Sequence, residues 1–108
     1  MELRNNGLLE KHVVDVLKEK KLTITTAESC TGGMISSRIV NVPGASAVLK
    51  QAYVTYCDEA KHTVLGVKKE TLEKYYAVSS QTACEMAEGG AKSAGAEVCV
   101  SVTGVAGP

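Results

Sequence analysis

The spacing of apolar residues predicts five helices along the chain. Residues 6–20 carry aliphatic side chains at helical intervals among lysines and glutamates, at Leu9, Val13, Val16 and Leu17. His12 lies beside this stripe and is expected at the surface. Polar capping residues, glycines and a proline delimit the remaining predicted helices, which cover 31–42, 59–65, 69–76 and 81–96.

Three segments between these helices have the composition of strands: 22–27, 47–57 and 97–104. The last is apolar on both faces, with Val98, Val100 and Val102 on one and Cys99 on the other, which predicts a central strand covered on both sides. Strands and helices alternate, and the connection between the last two strands is long enough for a parallel crossover. The sequence therefore predicts an α/β fold with three layers.

Large aromatic side chains are scarce in this chain. It contains no Phe and no Trp, so the core is expected to consist of Val, Leu, Ile, Ala and Met. The predicted helix 81–96 has one face of mostly small residues: Ala83, Met86, Ala87, Gly90, Ala91 and Ala94. We expect this helix to approach the sheet closely.

Composition limits the possible functions. A length of 108 residues suits one domain with one core, so residues 1–108 are interpreted as a single domain. The 12 basic and 12 acidic residues balance, which argues against a nucleic-acid partner. No apolar run reaches the roughly 18 to 20 residues of a membrane span, and the N-terminus lacks a secretory signal. A cytoplasmic protein with no membrane partner is expected.

The cysteines do not form a recognisable metal-binding or disulfide pattern. Cys30, Cys57, Cys84 and Cys99 are widely separated, no CxxC pair exists, and only 2 histidines are present. We therefore expect no metal ion, no other cofactor and no disulfide. Most of the thiols are predicted to be small, buried apolar groups.

The segment TTAESCTGG joins a predicted strand to a predicted helix. It carries three possible nucleophiles and two glycines side by side: Ser29, Cys30, Thr31, Gly32 and Gly33. Free N–H groups at a helix start can bind a phosphate or stabilise an oxyanion, and the glycines permit a tight turn and admit a ligand. The pattern matches neither G-x-S-x-G nor the P-loop. A plain N-cap is the alternative interpretation.

A nucleophilic serine needs a base, and neither histidine is persuasive. His12 lies on the first predicted helix, and His62 has no acidic partner at an obvious place. A lysine can serve as the base when burial or nearby positive charge favours its neutral form. Lys61 lies in the first turn of a predicted helix, five residues after Tyr56 at a predicted strand end. Ligands usually bind at this carboxyl edge of an α/β sheet. A solvated lysine and an ordinary strand tyrosine are the alternative.

A third candidate segment, SVTGVAG, follows the last predicted strand. Its Thr103, Gly104 and Gly107 could bring backbone N–H groups to a phosphate or carboxylate. Glycines also mark any flexible loop, so this signal is weak by itself. All three candidate segments are expected at one sheet edge, and their coincidence is stronger evidence than any one of them.

Several motifs in a fixed order carry a family resemblance. TTAESCTGG is followed by four others: YVTYxxEAK at 53–61, LGVxxETL at 65–72, AVS at 77–79 and SVTGVAGP at 101–108. With this order and spacing, the chain from about Leu8 to Pro108 resembles the C-terminal domain of the competence/damage-inducible protein CinA. Stand-alone bacterial forms of that family are nicotinamide-nucleotide amidases.

The resemblance implies hydrolysis of nicotinamide mononucleotide to nicotinic acid mononucleotide and ammonia, in pyridine-nucleotide recycling. It places the family's catalytic serine, tyrosine and lysine on Ser29, Tyr56 and Lys61. Ser29 would attack the carboxamide carbon, with Lys61 as general base, directly or through the Tyr56 hydroxyl. Backbone N–H groups at the start of helix 31–41 would hold the oxyanion. The nucleotide would be bound by both glycine-containing segments: Cys30, Thr31, Gly32, Gly33, Thr103, Gly104 and Gly107.

The resemblance also implies a three-layer α/β/α sandwich with a mixed, mostly parallel sheet, commonly in a homo-oligomer. Family domains continue past the final GP with a Gly-rich loop, further strands and a closing helix. We therefore expect an incomplete sheet in this chain, and weak or no amidase activity compared with a full-length version. The alternatives are a non-catalytic nucleotide- or phosphate-binding module with Ser29 as a cap, an inactive fragment with an interaction role, or Cys30 as the nucleophile.

Overall fold

The computed structural model describes residues 8–105, over which helices and strands alternate as the apolar pattern predicts. The observed boundaries lie within a few residues of the predicted ones. In chain order the elements are α1 Leu8–Lys20, β1 Ile24–Glu28, α2 Met34–Val40, a 3₁₀ turn Ala45–Ala47, β2 Leu49–Val54, α3 Asp58–Leu65, α4 Lys69–Tyr75, α5 Ser80–Ala94 and β3 Val98–Val102.

The described strands form a parallel sheet in the order β2-β1-β3. Glu28 at the end of β1 is in register with Val54 on one side and Val102 on the other, so the carboxyl ends of the three strands lie side by side. All five residues of β1 are buried. The central strand of the described sheet, β1, therefore leads directly into Ser29.

The prediction that strand 97–104 is central is wrong for the described sheet, where β3 pairs only with β1. The inference of covering on both faces is confirmed, because Val98 packs with one apolar cluster and Cys99 with the other. Apolar residues on both faces of a strand indicate that helices cover it above and below. They do not indicate how many strands lie beside it.

Helices cover both faces of the sheet and give the predicted three layers. On one face α1 and α2 enclose a cluster of buried apolar residues: Val14, Leu17, Ile24, Ile39, Ala45 and Val48. On the other face α3, α4 and α5 enclose a second cluster: Ala27, Leu65, Val67, Leu72 and Met86. The sheet thus separates two apolar cores built without Phe or Trp, and α/β architecture is confirmed.

Helix α5 approaches its neighbours closely, as its small residues predict. A Cβ built on Gly90 would lie 2.8 Å from the Sγ of Cys99 in β3. A Cβ built on Gly89 would lie only 1.7 Å from the backbone oxygen of Leu65 at the end of α3. The absence of a side chain at these two positions therefore sets the distances from α5 to the sheet and to α3.

Tyr76, directly after α4, has an unusual backbone conformation. Its φ of 66° and ψ of 177° lie in a region that is favourable essentially only for glycine. The hydroxyls of Ser79 and Thr82 both donate to its carbonyl oxygen, at 3.1 and 2.7 Å, and hold the strained peptide in place. The ring is exposed, so packing does not compensate for the strain.

Tyr76→Gly is therefore expected to stabilise the fold. Relief of roughly 1–3 kcal/mol of strain outweighs the roughly 0.5–1 kcal/mol that glycine costs through the unfolded chain. Thermal and urea unfolding should show a gain of about 1 kcal/mol. Tyr75→Gly, one residue earlier inside α4, is the matched control and should lose about 1 kcal/mol. A loss at both positions would contradict the assignment of strain to Tyr76.

Candidate functional site

The segments after the three strands meet at the carboxyl edge of the sheet. The N–H of Ser29 donates to the carbonyl of Val102 at 3.0 Å, and the N–H of Thr55 donates to the carbonyl of Glu28 at 2.8 Å. A Cβ built on Gly104 would lie 3.3 Å from the Sγ of Cys30, so the loop after β3 runs against the turn after β1. The three segments singled out by their sequence therefore form one site.

A buried serine–lysine pair lies at the centre of this site. The Nζ of Lys61 is 2.8 Å from the Oγ of Ser29 and 3.0 Å from the carbonyl oxygen of Thr55. Lys61 is 1% exposed and Ser29 is 5% exposed. Among residues 8–105, no carboxylate lies within ion-pair distance of this amine. The lysine is thus held by two oxygen atoms in a water-poor environment, which differs from the alternative of a solvated helix lysine.

Sequence reasoning missed Glu28, the last residue of β1. Its carboxylate is fully buried and accepts four hydrogen bonds, from donors in the turn and in the first turn of α2: the Thr31 hydroxyl at 2.7 Å and the N–H groups of Gly33, Ile35 and Ser36 at 3.2, 3.0 and 3.0 Å. Burial alone would raise the pKa of this carboxyl, but the four hydrogen bonds outweigh it and lower the pKa.

One sequence signal could have identified Glu28. It lies at the end of a strand that is otherwise composed of apolar and threonine residues, five residues before the second glycine of the turn. A carboxylate in such a strand must find donors when the strand is buried, and the nearest unpaired donors are the N–H groups at the start of the following helix. Glu28 is therefore the acceptor for the start of α2.

The N–H groups of residues 29–37 can be accounted for individually. Glu28 accepts three of them, and backbone carbonyls accept four others: those of Ser29, Gly32, Met34 and Ser37. Within the described part of the chain, the N–H groups of Cys30 and Thr31 have no hydrogen-bond partner. They directly follow Ser29, the position from which nucleophile-elbow enzymes take one oxyanion donor. These two groups are the available oxyanion donors of the turn.

The turn is longer than predicted, because α2 begins at Met34 and not at Thr31. Gly32 and Gly33 have φ of 61° and 107°, which are left-handed conformations that glycine adopts without strain. The space beside Gly32 is open, with no atom within 4 Å of an added Cβ. The glycines thus permit the tight turn and leave one side of it accessible.

Of the remaining predicted site residues, Tyr56 and Thr103 lie in the described part of the chain. Tyr56 is 65% exposed, and its hydroxyl makes no hydrogen bond to Ser29 or Lys61. The Thr103 hydroxyl donates to the carbonyl of Ala77 at 2.8 Å, which ties the loop after β3 to the segment before α5. Gly107 lies outside the described residues.

The four cysteines are all free thiols. Cys57 and Cys84 are exposed and the other two are half-buried, so the prediction that most are buried core residues is wrong. In residues 8–105 no three His, Cys, Asp or Glu residues are grouped in a way that could hold a metal ion. Over the same range, no helix has the length and apolarity needed to cross a bilayer.

Comparisons with known proteins identify the family of this chain. The family model described as CinA C-terminal domain matches residues 6–108. The chain is 62% identical over 100 residues to a competence-damage inducible protein of Clostridium acetobutylicum, covering 93% of this chain and 24% of that protein. It is 57% identical over 100 residues to a CinA-like protein of Kosmotoga olearia, with the same coverage of 93% and 24%. The chain thus spans about a quarter of the length of these curated relatives.

Solved structures resemble this chain in fold and, in part, in sequence. A competence-damaged protein (CinA) superfamily protein from Escherichia coli superposes with a TM-score of 0.93 at 35% identity, over 100% of this chain and 64% of that one. A competence damage-inducible protein A from Klebsiella pneumoniae gives a TM-score of 0.94 at 38% identity, over 97% of this chain and 65% of that one. The residues matched by the family model, 6–108, include all three segments of the candidate site. The chain belongs to the CinA C-terminal domain family.

Proposed function

We propose that this domain is an amidohydrolase that converts nicotinamide mononucleotide into nicotinic acid mononucleotide and ammonia. The observation that carries the proposal is the buried contact of 2.8 Å between the Nζ of Lys61 and the Oγ of Ser29. A serine and a base within hydrogen-bond distance are the minimum for nucleophilic catalysis. The carboxamide substrate is suggested by the resemblance of the motifs to the nucleotide amidases.

The proposed reaction begins with proton transfer from the Ser29 hydroxyl to the amine of Lys61. The Oγ atom then forms a bond to the carboxamide carbon, and the carbonyl oxygen gains negative charge. The unpaired N–H groups of Cys30 and Thr31 stabilise this oxyanion. Lys61 returns the proton to the leaving nitrogen, the C–N bond breaks, and ammonia departs. Water, deprotonated by the same amine, attacks the acyl-enzyme, releases the acid and restores Ser29.

The contacts favour direct proton transfer over a relay through Tyr56. Lys61 already contacts Ser29, whereas the Tyr56 side chain is mostly exposed and hydrogen-bonds to neither residue. A tyrosine at the rim of the site could instead cover the bound substrate. The role of Tyr56 as a relay stays a prediction, as does the assignment of nucleotide binding to Thr103, Gly104 and Gly107.

An ammonia-release assay with nicotinamide mononucleotide tests the proposal. It is run on this chain and on a version extended to the length of the solved relatives, of which this chain covers 64% and 65%. We expect stoichiometric ammonia and nicotinic acid mononucleotide from the extended protein. Rapid acid quenching and peptide mass spectrometry should locate an acyl adduct on Ser29.

A control substrate and two diagnostic outcomes make this assay decisive. Free nicotinamide, which has the same carboxamide but lacks the ribose phosphate, should be hydrolysed far more slowly if the site binds the nucleotide. An adduct on the Cys30 thiol would favour the thiol mechanism instead. Binding of the nucleotide without ammonia release by either version would support the non-catalytic module and overturn the amidase.

A further inference from the structure

We propose that Glu28 is a positioning residue that holds the Ser29 turn in its reactive geometry. The inference depends on the part of the proposed function that makes Ser29 the nucleophile, and it is independent of the substrate. The fold has one unusual feature here: the fully buried carboxylate of Glu28 lies in the central strand of the described sheet, directly before Ser29.

Glu28 and Ser29 project to opposite faces of the sheet. Successive strand residues alternate in direction, and the contacts agree with this rule. Glu28 reaches the start of α2 on one face, while Ser29 meets Lys61 of α3 on the other. Two adjacent residues at the end of β1 thus connect both helical layers to the same point of the backbone.

The carboxylate constrains the whole turn. Its two oxygens receive a hydroxyl and three N–H groups from residues 31–36, while the strand that carries it is fixed on both sides by β2 and β3. A Ser or Thr cap would normally satisfy only one N–H of a helix start. Four charge-assisted hydrogen bonds instead fix the turn relative to the sheet. The N–H groups of Cys30 and Thr31 belong to this fixed segment and have no hydrogen-bond partner among the described residues.

The same contacts determine where a substrate anion can bind. A helix N-terminus is normally a site for phosphate, but Glu28 already accepts the N–H groups of Gly33, Ile35 and Ser36. A phosphate there would displace a buried carboxylate or lie beside its negative charge. These three N–H groups are therefore not free for a substrate anion, and within residues 8–105 the turn keeps only those of Cys30 and Thr31 without a partner.

The test measures how fast an alkyl fluorophosphonate modifies Ser29, in this chain and in the extended domain. In that reaction Oγ forms a bond to phosphorus, the P–F bond breaks, fluoride leaves, and the hydroxyl proton passes to Lys61. The oxygen of the tetrahedral phosphoryl group accepts hydrogen bonds from the oxyanion donors. Glu28→Gln replaces one acceptor oxygen by an NH₂ group, which cannot accept from the donors of the turn. We therefore expect labelling about 10²–10³-fold slower than in the wild type.

Glu85→Gln is the matched control. Glu85 of α5 makes the same kind of contact at the start of α4, accepting from the N–H of Lys68 at 2.9 Å and from the Thr71 hydroxyl at 2.6 Å. Hydrogen bonds from these groups lower the pKa of Glu85, as the corresponding ones do for Glu28. Glu85→Gln should lower the melting temperature and leave the labelling rate unchanged.

Circular dichroism at the assay temperature checks that each variant is folded. If Glu28→Gln does not fold, Thr31→Val decides the question, because it removes one of the four donors, and labelling about tenfold slower is expected. Wild-type labelling rates in a folded Glu28→Gln, or equal slowing by Glu85→Gln, would overturn the positioning role. An unlabelled wild type would overturn it too. Labelling at Ser29 without ammonia release would refute the proposed substrate and leave the role of Glu28 standing.

Discussion

Replacing Ser29 with alanine is expected to abolish ammonia release, and replacing Lys61 with methionine is expected to lower kcat by about 10²–10⁴-fold. Alanine removes the oxygen atom that forms the acyl bond in the proposed reaction. Methionine keeps a side chain of similar length in the buried space but cannot accept the serine proton. Both changes leave the turn N–H groups in place, so the KM for the nucleotide should change much less than kcat. Steady-state kinetics of the extended domain measures both parameters.

Matched controls for these substitutions exist in the same chain. Ser37→Ala changes an exposed serine of α2, and Lys69→Met changes an exposed lysine in the first turn of α4. Both should retain wild-type kinetics. Turnover that survives in Ser29→Ala would refute the serine mechanism. Normal kcat in Lys61→Met would move the role of base to another group.

Tyr56→Phe separates the two possible proton routes within this scheme. Direct transfer between Ser29 and Lys61 predicts a kcat close to that of the wild type, because the Tyr56 hydroxyl contacts neither residue. A relay through that hydroxyl predicts a loss comparable to that in Lys61→Met. The residue that the family resemblance places in the catalytic set can therefore be tested separately from the serine–lysine pair.

The sequence pattern predicted the helices and strands well, but not the order of the strands. β1, ITTAE, has two threonines and a glutamate, whereas β3, VCVSV, is nearly all apolar, yet the structure buries β1 more completely. The polar groups of β1 are tolerated partly through hydrogen bonds, such as that from the Thr25 hydroxyl to the carbonyl of Gln51. Hydropathy counts a threonine as polar whether or not the fold supplies its partner. It therefore underestimates how deeply such a strand can be buried.

The candidate site shows the same division between local and long-range information. Local chemistry identified Ser29 and Lys61 as candidates, and parallel topology explains why residues 32 positions apart meet at one sheet edge. Their hydrogen bond could not be derived from spacing, since it depends on how α3 lies against the sheet. Glu28 was missed because its partners come from a turn whose length was underestimated: the predicted helix started at Thr31, and the observed one starts at Met34.

The close approach of α5 leads to the largest expected loss of stability. Gly89→Ala would place a methyl group 1.7 Å from the backbone oxygen of Leu65, a distance that no side-chain rotation can relieve. Helix α5 would have to move away from α3, whose first turn carries Lys61. We expect a loss of about 3 kcal/mol or more, at the upper end of what overpacking costs, which is a large fraction of the total for a small domain. Urea unfolding measures it directly.

Gly90→Ala, the next residue of the same helix, separates a backbone clash from a side-chain clash. Its methyl group would lie 2.8 Å from the Sγ of Cys99, an atom that can rotate away. The loss should be about 1 kcal/mol. In a Cys99→Ala background the same change should be neutral or stabilising, because alanine is favoured over glycine in a helix by about 0.5–1 kcal/mol. No second substitution at a side chain should rescue Gly89→Ala. Rescue of Gly89→Ala by a side-chain substitution would contradict the backbone clash. A Gly90→Ala loss that persists unchanged in the Cys99→Ala background would contradict the side-chain clash.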